Sequence, residues 1–345
     1  MTNLSFSLRS LGWNDYWTAV MAEVTAPGAE PARVIRRDRG WIRVATDSDV
    51  RSIEIAGQTG ELVTGDWVVV EADRLLATLP RKGVLRRSGR GGVEQLLAAN
   101  VDIVLLVCGL DRPVTPGRVH RGAVQAWDAG ASAVVVLNKA DLFDNSAGIA
   151  QAIAGETPGL EVLTLSSRTG EGLDAVRAHI RGRTAVLLGE SGAGKSSLLN
   201  ALAGRELSEE GAVRESDSKG KHTTVRRELF VLPEDAVVID TPGIRAFGLA
   251  ASTESVEAAF EDIEELAEHC RFGDCGHVTE PGCAVKEAIE QGTLRPERLQ
   301  TYLGLRRELA SQVVRVNPHA RRRQERKFAR LTREGQDAKR GLLDE

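Results

Sequence analysis

The sequence lacks an apolar run long enough to cross a membrane. No stretch approaches the roughly 20 apolar residues that a transmembrane helix needs. Residues 1–20 are interrupted by Arg9, Asn14 and Asp15, so no signal peptide is expected. Neither charge sign dominates, because the 345 residues carry a formal net charge of −4, which disfavours a uniformly basic nucleic-acid binder. We therefore expect a cytoplasmic protein that has no membrane partner.

Cysteine is also scarce, with four residues in the chain, but three of them lie close together. In a reducing compartment such a cluster indicates a metal site rather than disulfides. The candidate ligands are Cys270, Cys275, His277 and Cys283. This set satisfies tetrahedral Zn²⁺ and leaves no position for water, so we expect one structural zinc ion per chain. Unpaired cysteines are the alternative, and His269 is a rival imidazole. Cys108 lies in an apolar strand pattern and is interpreted as a core residue.

The first part of the chain predicts a small all-β barrel. Five short β-like runs broken by turns occupy some seventy residues, which is typical of a barrel of the OB type. The expected strands are Trp17–Val24, Ala32–Arg37, Gly40–Ala45, Arg51–Ile55 and Asp66–Glu71. Trp41 and Trp67 are expected in the barrel core, with stacking on bases as the alternative.

An alternation of apolar strands and helices follows, from about residue 95 to residue 250. Runs such as residues 103–107 and 134–137 suit strands that are covered on both faces, which predicts a doubly wound parallel sheet. The expected strands are Asp102–Cys108, Ala133–Leu137, Glu161–Leu165, Ala185–Leu188 and Ala236–Ile239, and the expected helices are Arg118–Asp128, Ala147–Ala154, Gly172–Arg181 and Ser197–Ala203. We predict three domains: the N-terminal segment and barrel in residues 1–90, the α/β domain in residues 91–250, and an α-helical zinc-binding domain with a basic tail in residues 251–345.

A phosphate-binding loop follows the strand predicted at Ala185–Leu188. Its residues are Gly189, Glu190, Ser191, Gly192, Ala193, Gly194, Lys195 and Ser196, and Ser197 continues into the helix. Glycines let the backbone wrap closely around phosphate, with N–H groups and the helix N-terminus directed at its charge. Lys195 would neutralise the β- and γ-phosphates and so assist catalysis, and the Ser196 hydroxyl would ligate Mg²⁺. This loop alone does not separate GTP from ATP.

A second motif favours GTP over ATP. It reads Asn138, Lys139, Ala140 and Asp141, at the carboxyl end of a predicted strand, where ligands bind in open α/β sheets. The Asp141 carboxylate can accept hydrogen bonds from N1–H and N2–H₂ of guanine, and the Lys139 stem can cover the base. Ser166 and Ser167 end the next strand and would contact the base edge. An ATP-dependent kinase or transporter would leave Asn138 and Asp141 without a role.

The segment around Asp240 is expected to sense the nucleotide state. The Asp240 carboxylate would hold Mg²⁺, and the Gly243 amide would contact the γ-phosphate. Either Thr223 or Thr224 would supply a second hydroxyl to the metal. In a GTPase, all these motifs bind GTP, and the base-reading motif ordinarily follows the phosphate loop. Here it precedes the phosphate loop, so the chain is interpreted as circularly permuted.

Hydrolysis needs a group that orients water, commonly a glutamine just after this last motif. Ile244 stands there and cannot do so. His222 is the nearest polar candidate in sequence, with a solvated loop histidine as the alternative. Slow or absent intrinsic turnover is also consistent with Ile244, so a non-catalytic GTP-sensing RNA-binding scaffold is the second functional hypothesis.

With these motifs together, the chain resembles the ribosome small subunit-dependent GTPase A family (RsgA) over nearly its whole length. The resemblance rests on residues 65–68, 98–102, 138–142, 192–198, 220–224, 240–245, 270–277 and 280–285. It implies that the chain hydrolyses GTP to GDP late in the assembly of the small ribosomal subunit, that the subunit stimulates turnover, and that His222 positions water. It also implies that the barrel and the zinc domain hold ribosomal RNA.

We further expect a monomer. The basic tail, residues 315–333, is a candidate RNA contact or a solvated helix face.

Overall fold

The computed structural model describes residues 6–24, 28–55, 60–88, 94–207, 227–241 and 251–316, with side chains to residue 311 in the last range. The chain divides into two compact units. One contains Met1–Arg87 and Leu96–Phe247, and the other contains Ser88–Gln95 and Gly248–Glu345. Within the described ranges, no helix is both long and apolar enough to cross a membrane.

The N-terminal segment forms a helix, α1 (Asp15–Met21), so the strand predicted at Trp17–Val24 is wrong. Asn14 caps the helix, since its side chain accepts a hydrogen bond from the Trp17 amide at 3.4 Å. Trp13 and Trp17 stand four residues apart and both pack against Trp67, with ring centroids 4.8 and 6.0 Å away. Trp17, which favours a strand locally, here packs from a short helix, and Trp13 packs from the segment that precedes it.

A five-stranded antiparallel barrel of the OB type follows, as predicted, although its last strand was not among the expected ones. Its strands are β1 (Glu30–Asp38), β2 (Trp41–Ala45), β3 (Val50–Glu54), β4 (Trp67–Glu71) and β5 (Arg74–Thr78). Strand β1 pairs with both β2 and β4. Trp67 is fully buried, which confirms the core interpretation. That interpretation is wrong for Trp41, which is 47% exposed because the strand alternation turns Ile42 and Val44 inward.

The α/β domain confirms the doubly wound sheet. After a two-stranded ribbon of β6 (Val84–Ser88) and β7 (Glu94–Ala99), the strands are β8 (Ile103–Gly109), β9 (Ser132–Asn138), β10 (Glu161–Thr164), β11 (Thr184–Gly189), β12 (Glu228–Val231) and β13 (Val237–Asp240). Their spatial order is β10-β9-β8-β11-β13-β12, and only β12 runs antiparallel among these described strands. The helices are α2 (Pro116–Asp128), α3 (Ser146–Glu156), α4 (Leu173–Ile180) and α5 (Lys195–Ala203). Strands β6, β7 and β12 were not predicted.

The barrel and the α/β sheet are joined in the first unit. Strand β1 pairs with β12 at Arg36 and Glu228, and Glu228 lies opposite Asp240 on β13. The sheet therefore runs without a break from the base-reading strand to the barrel. The division at residue 90 does not coincide with a break between compact units, and the three-domain boundaries stay a prediction.

Arg33 is buried where the N-terminal segment, the barrel and the α/β domain meet. Its guanidinium donates to the carbonyls of Gly65 and Asn100, both at 3.3 Å, and to the carbonyl of Leu11. It also lies 5.0 Å from the centre of the Trp67 ring. Burial lowers the pKa of Arg33 to about 10, so the group remains charged at neutral pH.

The second unit is helical, as predicted. Its helices are α6 (Thr253–Ala259), α7 (Glu261–Ala267), α8 (Ala284–Glu290) and α9 (Pro296–Val316). Phe260 and Tyr302 are fully buried with ring centroids 5.5 Å apart. Arg298 lies over Phe260 and forms two 2.6 Å hydrogen bonds to the Asp262 carboxylate, which ties α9 to α7.

Candidate nucleotide site and metal centre

The register of the parallel strands brings the motifs to one edge of the sheet. Gly109 of β8 lies opposite Asn138 of β9, and Asp240 of β13 lies opposite Leu187 of β11. The phosphate loop begins where β11 ends. Because the carboxyl ends of parallel strands share one edge, segments more than a hundred residues apart in sequence line the same crevice.

Asn138 connects the base-reading motif to the phosphate loop. Its amide nitrogen donates to the carbonyls of Ala193 and Gly194, each at 3.3 Å, and the side chain is buried. Its amide oxygen accepts from the backbone N–H and the hydroxyl of Ser167, each at 3.0 Å. A Cβ on Gly194 would lie 2.3 Å from this amide, so glycine is required there. Asn138 and Ser167 thus connect the two motifs, and the contact of Ser167 with the base stays a prediction.

Lys195 begins helix α5 and folds back over the phosphate loop. Its ammonium donates to the carbonyls of Gly189 and Glu190 at 2.9 and 2.8 Å. Burial lowers the pKa of Lys195, and the nearby Asp240 carboxylate opposes that shift. The ammonium thus stands at the loop that would receive phosphate, and its action on the phosphates stays a prediction. Ser196 and Ser197 follow it in the first turn of α5.

Asp141 and Ser166 are in contact with each other, and their contacts with the base stay a prediction. The Ser166 hydroxyl donates to one carboxylate oxygen of Asp141 at 2.6 Å, and Arg168 donates to the other oxygen. The hydroxyl of Ser166, followed by the charge of Arg168, lowers the pKa of Asp141. The carboxylate is therefore ionised and oriented. Arg168 was missed by the sequence analysis, although it directly follows the two predicted serines.

Lys139 is held by a residue that the sequence analysis also missed. Its backbone is left-handed, with φ of 69°, and its ammonium donates to the Gly192 carbonyl at 2.6 Å and to the Asp111 carboxylate at 2.8 Å. Asp111 pairs with Arg112, which donates to the Ser191 carbonyl at 3.1 Å. These ionic contacts fix the lysine stem beside the phosphate loop.

Asp240 lies at the same edge, next to the start of the phosphate loop. Burial raises the pKa of Asp240 to about 6, and the charge of Lys195 opposes the shift. The Ser196 hydroxyl and the Asp240 carboxylate are oxygen ligands of the kind that Mg²⁺ prefers. The sites predicted at His222, Thr223, Thr224 and Gly243 lie outside the described residues, so their roles stay predictions.

Cys108 lies beneath this edge and packs against the core, as predicted. Burial raises the pKa of its thiol to about 11, so the thiol is neutral. Nearby, Arg118 of α2 donates to the Glu190 carboxylate at 2.9 Å and ties that helix to the phosphate loop. Neither partner of this ion pair was given that role from the sequence.

The second unit brings the four predicted metal ligands together. The ligand atoms of Cys270, Cys275, His277 and Cys283 all lie within 4.8 Å of one another. Cys270 Sγ lies 3.8 Å from Cys283 Sγ and 3.7 Å from His277 Nδ1. Tetrahedral zinc with its usual bond lengths places such ligands roughly 3.5–3.8 Å apart, so the residues fit this ion. The rival His269 instead hydrogen-bonds the Glu265 carbonyl and is outside the cluster.

Glu280 shapes the loop that carries His277. Its carboxylate accepts hydrogen bonds from the amides of Gly276, Val278 and Thr279 at 3.1, 2.9 and 2.9 Å. The backbone amide of Glu280 itself, followed by these three amides, lowers the pKa of Glu280 to about 2. His277 has a φ of 57°, which is uncommon for a residue other than glycine, and the capped loop holds it there.

Comparisons with known proteins agree with this geometry. The RsgA GTPase family model matches residues 78–250. The small ribosomal subunit biogenesis GTPase RsgA of Streptomyces coelicolor is 41% identical, over 98% of this chain and 97% of the relative. The protein of the same name from Syntrophotalea carbinolica is 37% identical, over 95% and 97%.

Two solved structures share the fold. The crystal structure of YjeQ from Thermotoga maritima is 25% identical, covers 82% of this chain and 99% of its own, and has a TM-score of 0.62. The structure of YloQ, a circularly permuted GTPase, is 24% identical, covers 82% and 96%, and has a TM-score of 0.59. From its motifs, its fold and its relatives, the chain belongs to the RsgA GTPase family.

Proposed function

We propose that this chain hydrolyses GTP to GDP and phosphate while it assists the late assembly of the small ribosomal subunit, and that the subunit stimulates turnover. The observation that supports a guanine nucleotide site is the contact of Asn138 with both the phosphate loop and Ser167. The names of the relatives support the ribosomal part.

Nucleotide binding would use groups that are already in place. The loop from Gly189 to Gly194 would wrap the phosphates with its N–H groups, and Lys195 would exchange its two carbonyl partners for phosphate oxygens. Asp141, oriented by Ser166, would accept the donors of the guanine edge. The stem of Lys139 would cover the base.

Magnesium would be held by Ser196, Asp240 and either Thr223 or Thr224, and it would neutralise charge on the β- and γ-phosphates. We further propose that the Gly243 amide contacts the γ-phosphate and that His222 positions the attacking water. The four-ligand cluster of the second unit would hold one structural zinc ion, since no ligand position is left for water.

The barrel and the second unit would both contact ribosomal RNA, and loss of the γ-phosphate would weaken that binding. The route from nucleotide to barrel is short, because Glu228 pairs with both Asp240 and Arg36 of β1. The exposed Trp41 and the basic tail are candidate RNA contacts. We also propose that the protein acts as a cytoplasmic monomer.

The test is GTP turnover measured alone, with purified small subunits and with purified large subunits. We expect turnover to rise strongly with small subunits only, and Lys195→Ala to abolish it. Equal turnover in all three conditions would contradict the ribosomal part. Binding to small subunits without any turnover would instead support the non-catalytic scaffold.

A further inference from the structure

The carboxylate that would accept the guanine edge already holds a guanidinium. Arg168 donates from Nη2 to Oδ2 of Asp141, while the Ser166 hydroxyl occupies Oδ1 at 2.6 Å. The Asp141 side chain is 11% exposed and the Arg168 side chain is 73% exposed, so the guanidinium approaches from the solvent side. Both oxygens of Asp141 therefore have a donor when no nucleotide is bound.

The guanidinium of Arg168 and the edge of guanine are chemically alike where each would meet Asp141. A guanidinium presents N–H donors in a planar fork that suits a carboxylate. Guanine presents N1–H and the exocyclic N2–H₂ on either side of one carbon, which is the same N–C–N arrangement. Two such donors cannot occupy the same carboxylate oxygen along the same direction, so base and side chain compete.

The backbone of this loop is closed by its own hydrogen bonds. The Ser166 amide donates to the Glu171 carbonyl at 2.9 Å, and the Gly170 amide donates to the Ser166 carbonyl at 2.9 Å. The Thr169 amide donates to the Ser166 hydroxyl at 3.1 Å. Displacement of the Arg168 side chain thus needs only rotation about its own bonds, and the Ser166 hydroxyl stays on Asp141.

We propose that Arg168 sets the affinity for guanine nucleotides by occupying the place of the base on Asp141 in the nucleotide-free protein. This inference rests on the proposed guanine site. Since the pair is exposed on the Arg168 side, its strength is modest and is screened by salt. Because the nucleotide must break this pair, its affinity at low ionic strength should be about two- to fivefold lower than without the Arg168 guanidinium.

Arg168→Met tests this competition, because methionine keeps an apolar stem but has no N–H donor. Fluorescently labelled GDP is titrated into the wild-type chain and the variant at about 0.02 M and about 0.5 M NaCl. We expect the variant to bind about two- to fivefold more tightly at low salt, with the difference shrinking at high salt. The control is Arg181→Met, which removes another exposed ion-paired arginine, 2.6 Å from Glu234.

Equal or weaker binding by Arg168→Met at low salt would overturn the proposal, since the side chain would then be neutral or would assist the base. The same gain in Arg181→Met would also overturn it, because net charge would explain the result. If the folded wild-type chain bound no GDP at all, the guanine site itself would be wrong. That result can be told apart from the others, because it is seen in the wild-type chain before any variant is compared.

Discussion

The side-chain amide of Asn138 lies 3.3 Å from the carbonyl of Gly194, a residue 56 positions later in the chain. This hydrogen bond joins the motif that we propose reads the base to the loop that we propose binds phosphate. The two halves of the proposed nucleotide site therefore have a defined spacing, although the first precedes the second along the chain.

Asn138→Ala should weaken nucleotide binding and lower stability together. The substitution leaves the carbonyls of Ala193 and Gly194 without this donor and Ser167 without its acceptor, which we expect to cost about 2–3 kcal/mol in the free energy of unfolding. GDP affinity should fall more than about tenfold, because the loop and the base site lose their common support. Urea denaturation and GDP titration measure the two effects.

Asn145→Ala is the matched control for that substitution. Asn145 caps helix α3, and its side chain accepts a hydrogen bond from the Gly148 amide within that helix at 3.2 Å. It should lose about 1 kcal/mol of stability and keep its GDP affinity. Unchanged GDP affinity in Asn138→Ala would show that the two motifs do not depend on each other.

The raised pKa of Asp240 predicts a pH dependence of both stability and magnesium binding. Burial favours the protonated carboxyl in the folded state, with a pKa of about 6 against 3.8 for the ordinary group. The free energy of unfolding should therefore fall as pH rises from about 4 to above 6, by at most about 3 kcal/mol. Mg²⁺ needs the ionised form, so the affinity for Mg²⁺ with GDP should fall below about pH 6.

Asp240→Asn separates these effects from other titrations. The variant should lose the pH-dependent component and be more stable than the wild-type chain at pH 7.5, measured without nucleotide by thermal denaturation. Its Mg²⁺-dependent GDP affinity should be weak at every pH. A wild-type magnesium affinity that does not change between pH 5 and pH 7.5 would contradict the shifted pKa.

Arg33→Met should loosen the junction between the barrel and the α/β domain. The buried carbonyls of Asn100 and Leu11 would lose the Arg33 donor, and that of Gly65 would keep only the Asn100 side-chain amide, so we expect a loss of about 2–4 kcal/mol in stability to urea. Arg39→Met, in the exposed turn between β1 and β2, should change stability by less than about 0.5 kcal/mol. If both variants unfolded at the same urea concentration, Arg33 would not support the junction.

Removal of the metal should unfold the ligand loop of the second unit together with helices α7 and α8, which flank it. We expect purified chain to carry one zinc ion, and Cys283→Ala to carry none and to lose several kcal/mol of stability in that unit. Elemental analysis and far-ultraviolet circular dichroism measure the two effects. Cys108→Ala should retain the ion, since Cys108 lies in the other unit. A wild-type chain that kept its helices without bound metal would disprove a structural zinc site.

Much of the fold could be predicted because the signals were local. The apolar runs of β8 and β9 and the glycine turn after β11 each indicate one structure within a few residues. Predictions failed where a distant partner decided the outcome. The segment at Trp17 has a strand-like composition, yet it is helical because the Asn14 cap and the surface of Trp67 are both present. Trp41 faces outward because of the register of its strand.

The sequence by itself was enough to predict the chemistry proposed for this protein, namely phosphate binding, guanine recognition and a metal site, since each motif is a short continuous segment. Only the tertiary structure decided that Asn138 joins two of those motifs, that Arg168 pairs with Asp141, and that Arg33 lies at the junction with the barrel. Such contacts depend on strand register and on packing between distant segments, and no local pattern in the chain encodes them.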